Sequence, residues 1–116
     1  MSDIDIDELA GRLGEVAILD VRAPGEYDGS FGAPCDPRQG HIPGARNLHV
    51  DELVRLSDNE ARERVGLPAG SEVVAYCHSG ARSQLAVAIL TRLGFDARNY
   101  AGSWHEWSRS DHPLES

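Results

Sequence analysis

The sequence predicts an α/β protein with a largely parallel sheet, and three observations carry that prediction. Short apolar runs of strand length alternate along the chain with helix-like segments, the pattern of βα units stacked into one layered sheet. The strongest run, Glu72-Val73-Val74-Ala75-Tyr76, is followed within a few residues by the clearest helical pattern, over residues 81–93. The 116 residues, 41% of them apolar, suit a single domain over 1–116 with its own core.

Each element follows from local pattern. Residues 7–13 read as a short helix with Leu9, Ala10 and Leu13 on one face, closed by Gly14. Residues 15–21 form an apolar run expected to be a buried strand. Residues 22–43 are rich in Gly, Pro and Asp and read as a surface loop, with a helical turn near Glu26 and Tyr27. Residues 45–49 are a short strand candidate, and 50–56 and 59–65 suggest two short helices. Residues 67–70 are a turn, and 72–76 are the second strong strand. In the helix over 81–93, Leu85, Ala86, Ala88, Ile89 and Leu93 make the apolar face, with Gly94 at its end. Residues 95–100 are a further strand, and 102–109 a helical turn bearing Trp104 and Trp107 as packing residues.

Charge narrows the function classes. The formal net charge is −8 and every basic residue is Arg. Nucleic acid and anionic membranes both require positive fields, so neither is an expected partner. Any anion site must be local, built from a few arginines or backbone N–H groups. No apolar run reaches the ~18–20 residues of a membrane span, and residues 1–9 lack a basic, then apolar, leader. A cytoplasmic location is the default expectation.

In parallel sheets ligands bind at the carboxyl ends of strands, which selects Asp20 to Arg22 and Tyr76 to Arg82. A lone cysteine ending a buried strand is more often packing than chemistry. The surroundings of Cys77 reverse that balance. Ser79, Gly80 and Ala81 are small, so the backbone can curl with its N–H groups inward, and Gly80 can adopt the positive φ such a turn needs. The helix that follows adds partial positive charge at its N-terminus, and Arg82 a full one. A sulfur placed there is stabilised as thiolate, the reactive form.

The segment Cys77-His78-Ser79-Gly80-Ala81-Arg82-Ser83 resembles the active loop of the rhodanese family, commonly CxxGxRS. Asp20-Val21-Arg22 resembles the family's DxR, residues 40–45 its GHIPGA signature, and Tyr100-Ala101-Gly102-Ser103-Trp104 its closing segment. The end of the chain is most similar to the catalytic C-terminal domain of long two-domain sulfurtransferases, which would here stand alone. The resemblance implies a sheet of about five strands flanked by helices on both faces. It implies Cys77 as nucleophile, with His78, Ser79, Gly80, Ala81 and Arg82 binding the donor, and Asp20 and Arg22 supporting the loop. Sulfur would move from a small anionic donor such as thiosulfate to cyanide or a thiol through a persulfide, without metal or organic cofactor. Related phosphatases and arsenate reductases place five residues between Cys and Arg; four stand here, a loop suited to one sulfur atom rather than a tetrahedral oxyanion. The alternatives are a persulfide carrier and a non-catalytic binding module, and the presence of Cys77 favours the enzyme.

Departures from the family pattern concern the donor. Glu26 stands where long sulfurtransferases often carry a donor-binding Arg, and Ser79 where some carry Lys. Both weaken the case for mercaptopyruvate and leave thiosulfate possible. His41 is expected to be structural and His78 to be a solvated loop residue. The five histidines show no metal-ligand spacing. Cys35 is expected to be an incidental loop cysteine, with a resolving thiol as the sharper alternative. Arg38 and Arg46 lie near the same loop and their positions are left open.

Overall fold

The computed structural model describes residues 3–116. Strands β1 (Ala17–Asp20), β2 (Arg46–Asn47), β3 (Glu72–Tyr76) and β4 (Asp96–Asn99) form one sheet in the order β2-β1-β3-β4, with every pairing parallel. Six helices accompany them: α1 (Ile6–Ala10), α2 (Pro24–Asp28), α3 (Val50–Leu53), α4 (Asp58–Val65), α5 (Ala81–Arg92) and α6 (Ser103–Trp107).

The α/β class and parallel sheet are as the sequence predicts, and the strand count is corrected from about five to four. Among the described residues, the N-terminal segment is tied to β4 by one backbone bond, from Ile4 N–H to the Asn99 carbonyl at 3.1 Å. One bond is not a ladder. Helix α1 also stops earlier than predicted. Asp5 caps it by accepting from the Glu8 N–H at 2.8 Å, and the chain leaves the helix at Gly11, so that residues 11–15 are consecutive turns.

Side chains alternate across the sheet and divide the core in two. Leu19, Val73, Ala75 and Ala97 face one side and pack with Val50 and Leu53 of α3, Ala61 and Val65 of α4, and Ala86, Val87, Ile89 and Leu90 of α5. Ile18, Val74 and Tyr76 face the other and pack with Leu9 of α1, Ile42, Tyr100, and Trp104 and Trp107 of α6. Both tryptophans are fully buried, and their indole N–H groups donate to the carbonyls of Arg38 and Pro113. The helices therefore cover both faces. Continuing the alternation of β3 by one residue brings Cys77 to the face covered by α5.

Loop arginines fasten the periphery. Arg38 donates to the carbonyls of Trp107, Ser108, Ser110 and His112, closing the end of α6. Arg46 donates to the Val65 carbonyl at the end of α4. Both guanidinium groups are thus committed to carbonyls. Among the described residues, no helix is long and apolar enough to cross a membrane.

Candidate active site

Two segments build the site: the loop from β3 into α5, and the start of α6. After Cys77 the chain turns sharply into α5 through Gly80, the residue before the helix, at φ 98°. A Cβ at this position would lie 2.8 Å from the Ala101 carbonyl oxygen. Only glycine meets both conditions. The turn aims backbone donors at sulfur: Gly80 N lies 3.1 Å and Ser83 N 3.4 Å from Cys77 Sγ.

The Ser83 hydroxyl lies 3.4 Å from Sγ and 2.7 Å from Asn99 Oδ1. On the far side, Ser103 fixes the backbone of Cys77. Its hydroxyl donates to the Tyr100 carbonyl at 2.8 Å, accepts from the Cys77 N–H at 3.1 Å and stands 3.9 Å from Sγ. The Trp104 and His105 N–H groups, both at 2.9 Å, bind the carbonyls of Cys77 and His78. Ser103 is also the described non-glycine residue with positive φ, 55°, a strained conformation of the kind that concentrates at functional sites.

Burial pushes the Cys77 thiol up, but hydrogen bonds from the Ser83 hydroxyl and from the Ser83, Gly80 and Ser79 amides outweigh it and hold the thiol below the ordinary cysteine value. The backbone nest predicted from the small-residue loop is therefore present, and it acts on sulfur. Cys77 is only 1% exposed, so a reagent must be small or must reach in. Above the loop lies a cavity of about 390 Å³, walled by Ser79, Gly80, Ala81, Gln84, Asn99 and Ala101. A larger cavity, of about 610 Å³, touches the loop only at Ser79 and otherwise runs along Ala101, Gly102 and α6. The smaller one is bounded by the same Gly80 that donates to Sγ.

The remaining predicted site residues separate. Arg82 does not stand free. Its Nη1 and Nη2 donate to the two carboxylate oxygens of Glu26 at 3.0 and 3.3 Å. Burial pushes the Glu26 carboxyl up, yet Arg82 and the Ala23 N–H together hold it below its ordinary value. His78 is not a freely solvated loop residue either. It packs beside the buried Asp36, its Nε2 3.0 Å from Oδ2.

Asp20 and Arg22 form a buried ion pair, with Nη2 to Oδ2 at 2.7 Å and Nε to Oδ1 at 3.0 Å. The Tyr76 hydroxyl donates to Asp20 at 2.8 Å, and Arg22 donates to the Gly40 carbonyl at 2.6 Å. The guanidinium lies over the rings of Tyr76 and Trp104. The pair therefore braces Tyr76, the residue before the cysteine, against the turn at residues 40–42. His41 stacks on Tyr27 at 3.8 Å between centroids and donates from Nδ1 to the Tyr27 carbonyl, a structural role.

Ser103 and Asn99 are the residues that sequence reasoning passed over. Ser103 lies within the segment singled out as the closing motif; Asn99 carries no motif at all.

A profile of the rhodanese-like domain matches residues 5–110. The chain is 40% identical over 98 residues to a mitochondrial protein of Schizosaccharomyces pombe named as a thiosulfate sulfurtransferase, covering 78% of this chain and 62% of that one. It is 37% identical over 103 residues to the Mycobacterium tuberculosis protein SseB, likewise named as a thiosulfate sulfurtransferase, covering 82% of this chain and 36% of the relative. A crystal structure of a protein named as a thiosulfate sulfurtransferase superposes with TM-score 0.88 at 44% identity, over 98% of this chain and 47% of that chain. The chain thus spans between about a third and two thirds of the length of these relatives.

Proposed function

The chain belongs to the rhodanese-like domain family, and from that premise we propose that it is a sulfurtransferase in which Cys77 carries sulfur as a persulfide. The observation that supports the reading is the convergence of the Gly80 and Ser83 amides and the Ser83 hydroxyl on Cys77 Sγ at 3.1–3.4 Å. A thiolate held by such donors needs no separate general base.

In the first step the thiolate attacks the outer sulfur of a donor such as thiosulfate. A new S–S bond forms at Sγ, the donor's S–S bond breaks, and sulfite leaves with the bonding electron pair. The persulfide places its terminal sulfur roughly 2 Å beyond Sγ, and the same ring of donors favours the anion. In the second step a nucleophile, cyanide or a thiol, takes the outer sulfur and Cys77 returns as thiolate. Charge balances in each half and no outside oxidant enters.

The Arg82–Glu26 pair bears on the donor. With Arg82 neutralised, an anionic donor meets no unpaired side-chain cation from this loop, which favours weak thiosulfate use and leaves the backbone amides as the main anion-binding groups. The protein is proposed to act in the cytoplasm, where thiol acceptors are abundant.

The test is mass spectrometry after incubation with thiosulfate or polysulfide. The reading expects one added sulfur atom on Cys77, released by cyanide and absent in Cys77→Ala. A wild-type protein that gains no sulfur from any donor overturns it.

A further inference from the structure

Beside the cysteine loop, on its outer side, four side chains from three separate segments point at one another. Cys35 and Asp36 come from the long loop after α2, His78 follows Cys77, and His105 lies on α6. One potential ligand atom from each lies within 4.8 Å of all the others. His78 Nε2 is 3.0 Å from Asp36 Oδ2, His105 Nδ1 is 3.8 Å from Asp36 Oδ1, and Cys35 Sγ is 3.9 Å from Asp36 Oδ1. Ligands held ~2.0–2.3 Å from a tetrahedral zinc ion lie roughly 3.3–3.8 Å apart, so the group, within 4.8 Å throughout, needs to draw in by about 1 Å at most around an ion.

A second observation points to a ligand. The Asp36 side chain is 1% exposed, yet its Oδ2 has no hydrogen-bond partner, and neither has the buried His78 Nε2. The two atoms face each other at 3.0 Å without the geometry of a hydrogen bond. A buried carboxylate oxygen left in this state is unfavourable, and a cation between the two atoms would satisfy both.

We propose that Cys35, Asp36, His78 and His105 form a binding site for a divalent transition metal ion of the zinc class. The donor set matches that ion: a thiolate, a carboxylate oxygen and two imidazole nitrogens, a mixed S/O/N set suited to tetrahedral coordination. The thiolate and carboxylate balance the two positive charges, and binding releases the Cys35 proton to solvent.

Arg109 is the competing cation. Its Nη1 lies 2.9 Å from Asp36 Oδ1 and 3.2 Å from His105 Nδ1. It also donates to the His105 and Cys35 carbonyls at 2.7 and 2.8 Å, so an ion must displace it from His105 Nδ1, while its contact with the carboxylate is with Oδ1 rather than the unpartnered Oδ2. The spacing of the histidines along the chain does not disclose this group, because its members are assembled by the fold from positions 35, 36, 78 and 105. An ion here would fasten the long loop to the residue next to Cys77. The site stands on its own geometry and does not depend on the sulfur-transfer reading.

Cobalt(II) titration of chelator-stripped, reduced protein tests the proposal. Saturation at one equivalent is expected, with the intense visible bands of tetrahedral cobalt and a thiolate charge-transfer band, both displaced by zinc. Cys35→Ser should lose the charge-transfer band, and His105→Ala should weaken binding by at least ~10-fold. Both residues are exposed at the surface, so neither change threatens the fold. Cys77→Ala should titrate like the parent. The proposal is overturned by the absence of saturable binding, or by a thiolate band that survives Cys35→Ser and disappears in Cys77→Ala.

Discussion

The guanidinium of Arg82 and the carboxylate of Glu26 meet face to face across the mouth of the cysteine loop, with two N–O contacts of 3.0 and 3.3 Å. The one arginine in the loop is thereby spent on an internal partner. Glu26→Gln should release it while keeping an oxygen for the Ala23 N–H, which Glu26 now accepts at 3.2 Å. Because the pair is partly exposed, screening limits the gain, and the KM for thiosulfate should fall by about three- to tenfold with little change in kcat. Steady-state kinetics at low and high salt checks this, with the gain shrinking as salt rises. An unchanged KM at low salt would mean that Arg82 does not meet the donor.

The lowered thiol of Cys77 sets a pH dependence. Thiolate is present above the folded pKa and is lost as pH falls through it, so sulfur loading should persist into the range below the ordinary cysteine value. The same lowering stabilises the folded state above the unfolded cysteine pKa, and that contribution disappears as pH drops through the folded one. Ser83→Ala removes a hydroxyl and should move the midpoint of alkylation or loading upward. Rates of iodoacetamide modification across pH, with the product mapped to Cys77, report the midpoint directly. A variant midpoint equal to the parent's would assign the lowering to the amides alone.

Gly80→Ala tests the turn. The new Cβ would lie 2.8 Å from the Ala101 carbonyl oxygen in a backbone at φ 98°, and alanine in left-handed backbone alone costs ~1–2 kcal/mol. The loop must shift to relieve the clash, and the Gly80 N–H would leave sulfur. The expected result is a drop in thermal midpoint together with a loss of sulfur loading of at least about tenfold, since a lost donor to a charged group is worth roughly 1.5–3 kcal/mol. A stable variant with full loading rules out the Gly80 amide as a required donor.

Much of this arrangement was legible in the sequence because its causes are local. The run over Glu72–Tyr76 and the helix that follows emerge as β3 and α5, and the loop between them was marked by small residues before a helix. What was not legible depends on contacts distant in sequence. Glu26 lies 56 positions from Arg82, and nothing local to either residue announces the pairing. The approach of Asp36 to His78 and that of Asn99 to the Ser83 hydroxyl are likewise products of the tertiary fold. The strand count is another case: the chain's own pattern marks four strand candidates, and those four form the sheet, while the expectation of about five came from the resemblance alone. Helix α1 was predicted too long because Leu13 continues its apolar face, while the backbone leaves the helix at Gly11.

Asp20 and Arg22 offer the sharpest separation of structure from chemistry. Both side chains are essentially inaccessible, at 0% and 1% exposure, and the pair shares hydrogen bonds with Tyr76 and Gly40. Removing one member leaves the other charged and buried, which typically costs ~3–5 kcal/mol. Asp20→Asn retains the shape of the side chain but not its charge, and Arg22→Met retains most of the length. Each single change should therefore lower stability severely in urea unfolding, while the double variant recovers part of the loss because no lone charge is left behind. If the pair acts only by bracing Tyr76, whatever fraction folds should still load sulfur on Cys77 with a parent-like pH midpoint. A shifted midpoint in folded Arg22→Met would instead show that the guanidinium acts electrostatically on the sulfur.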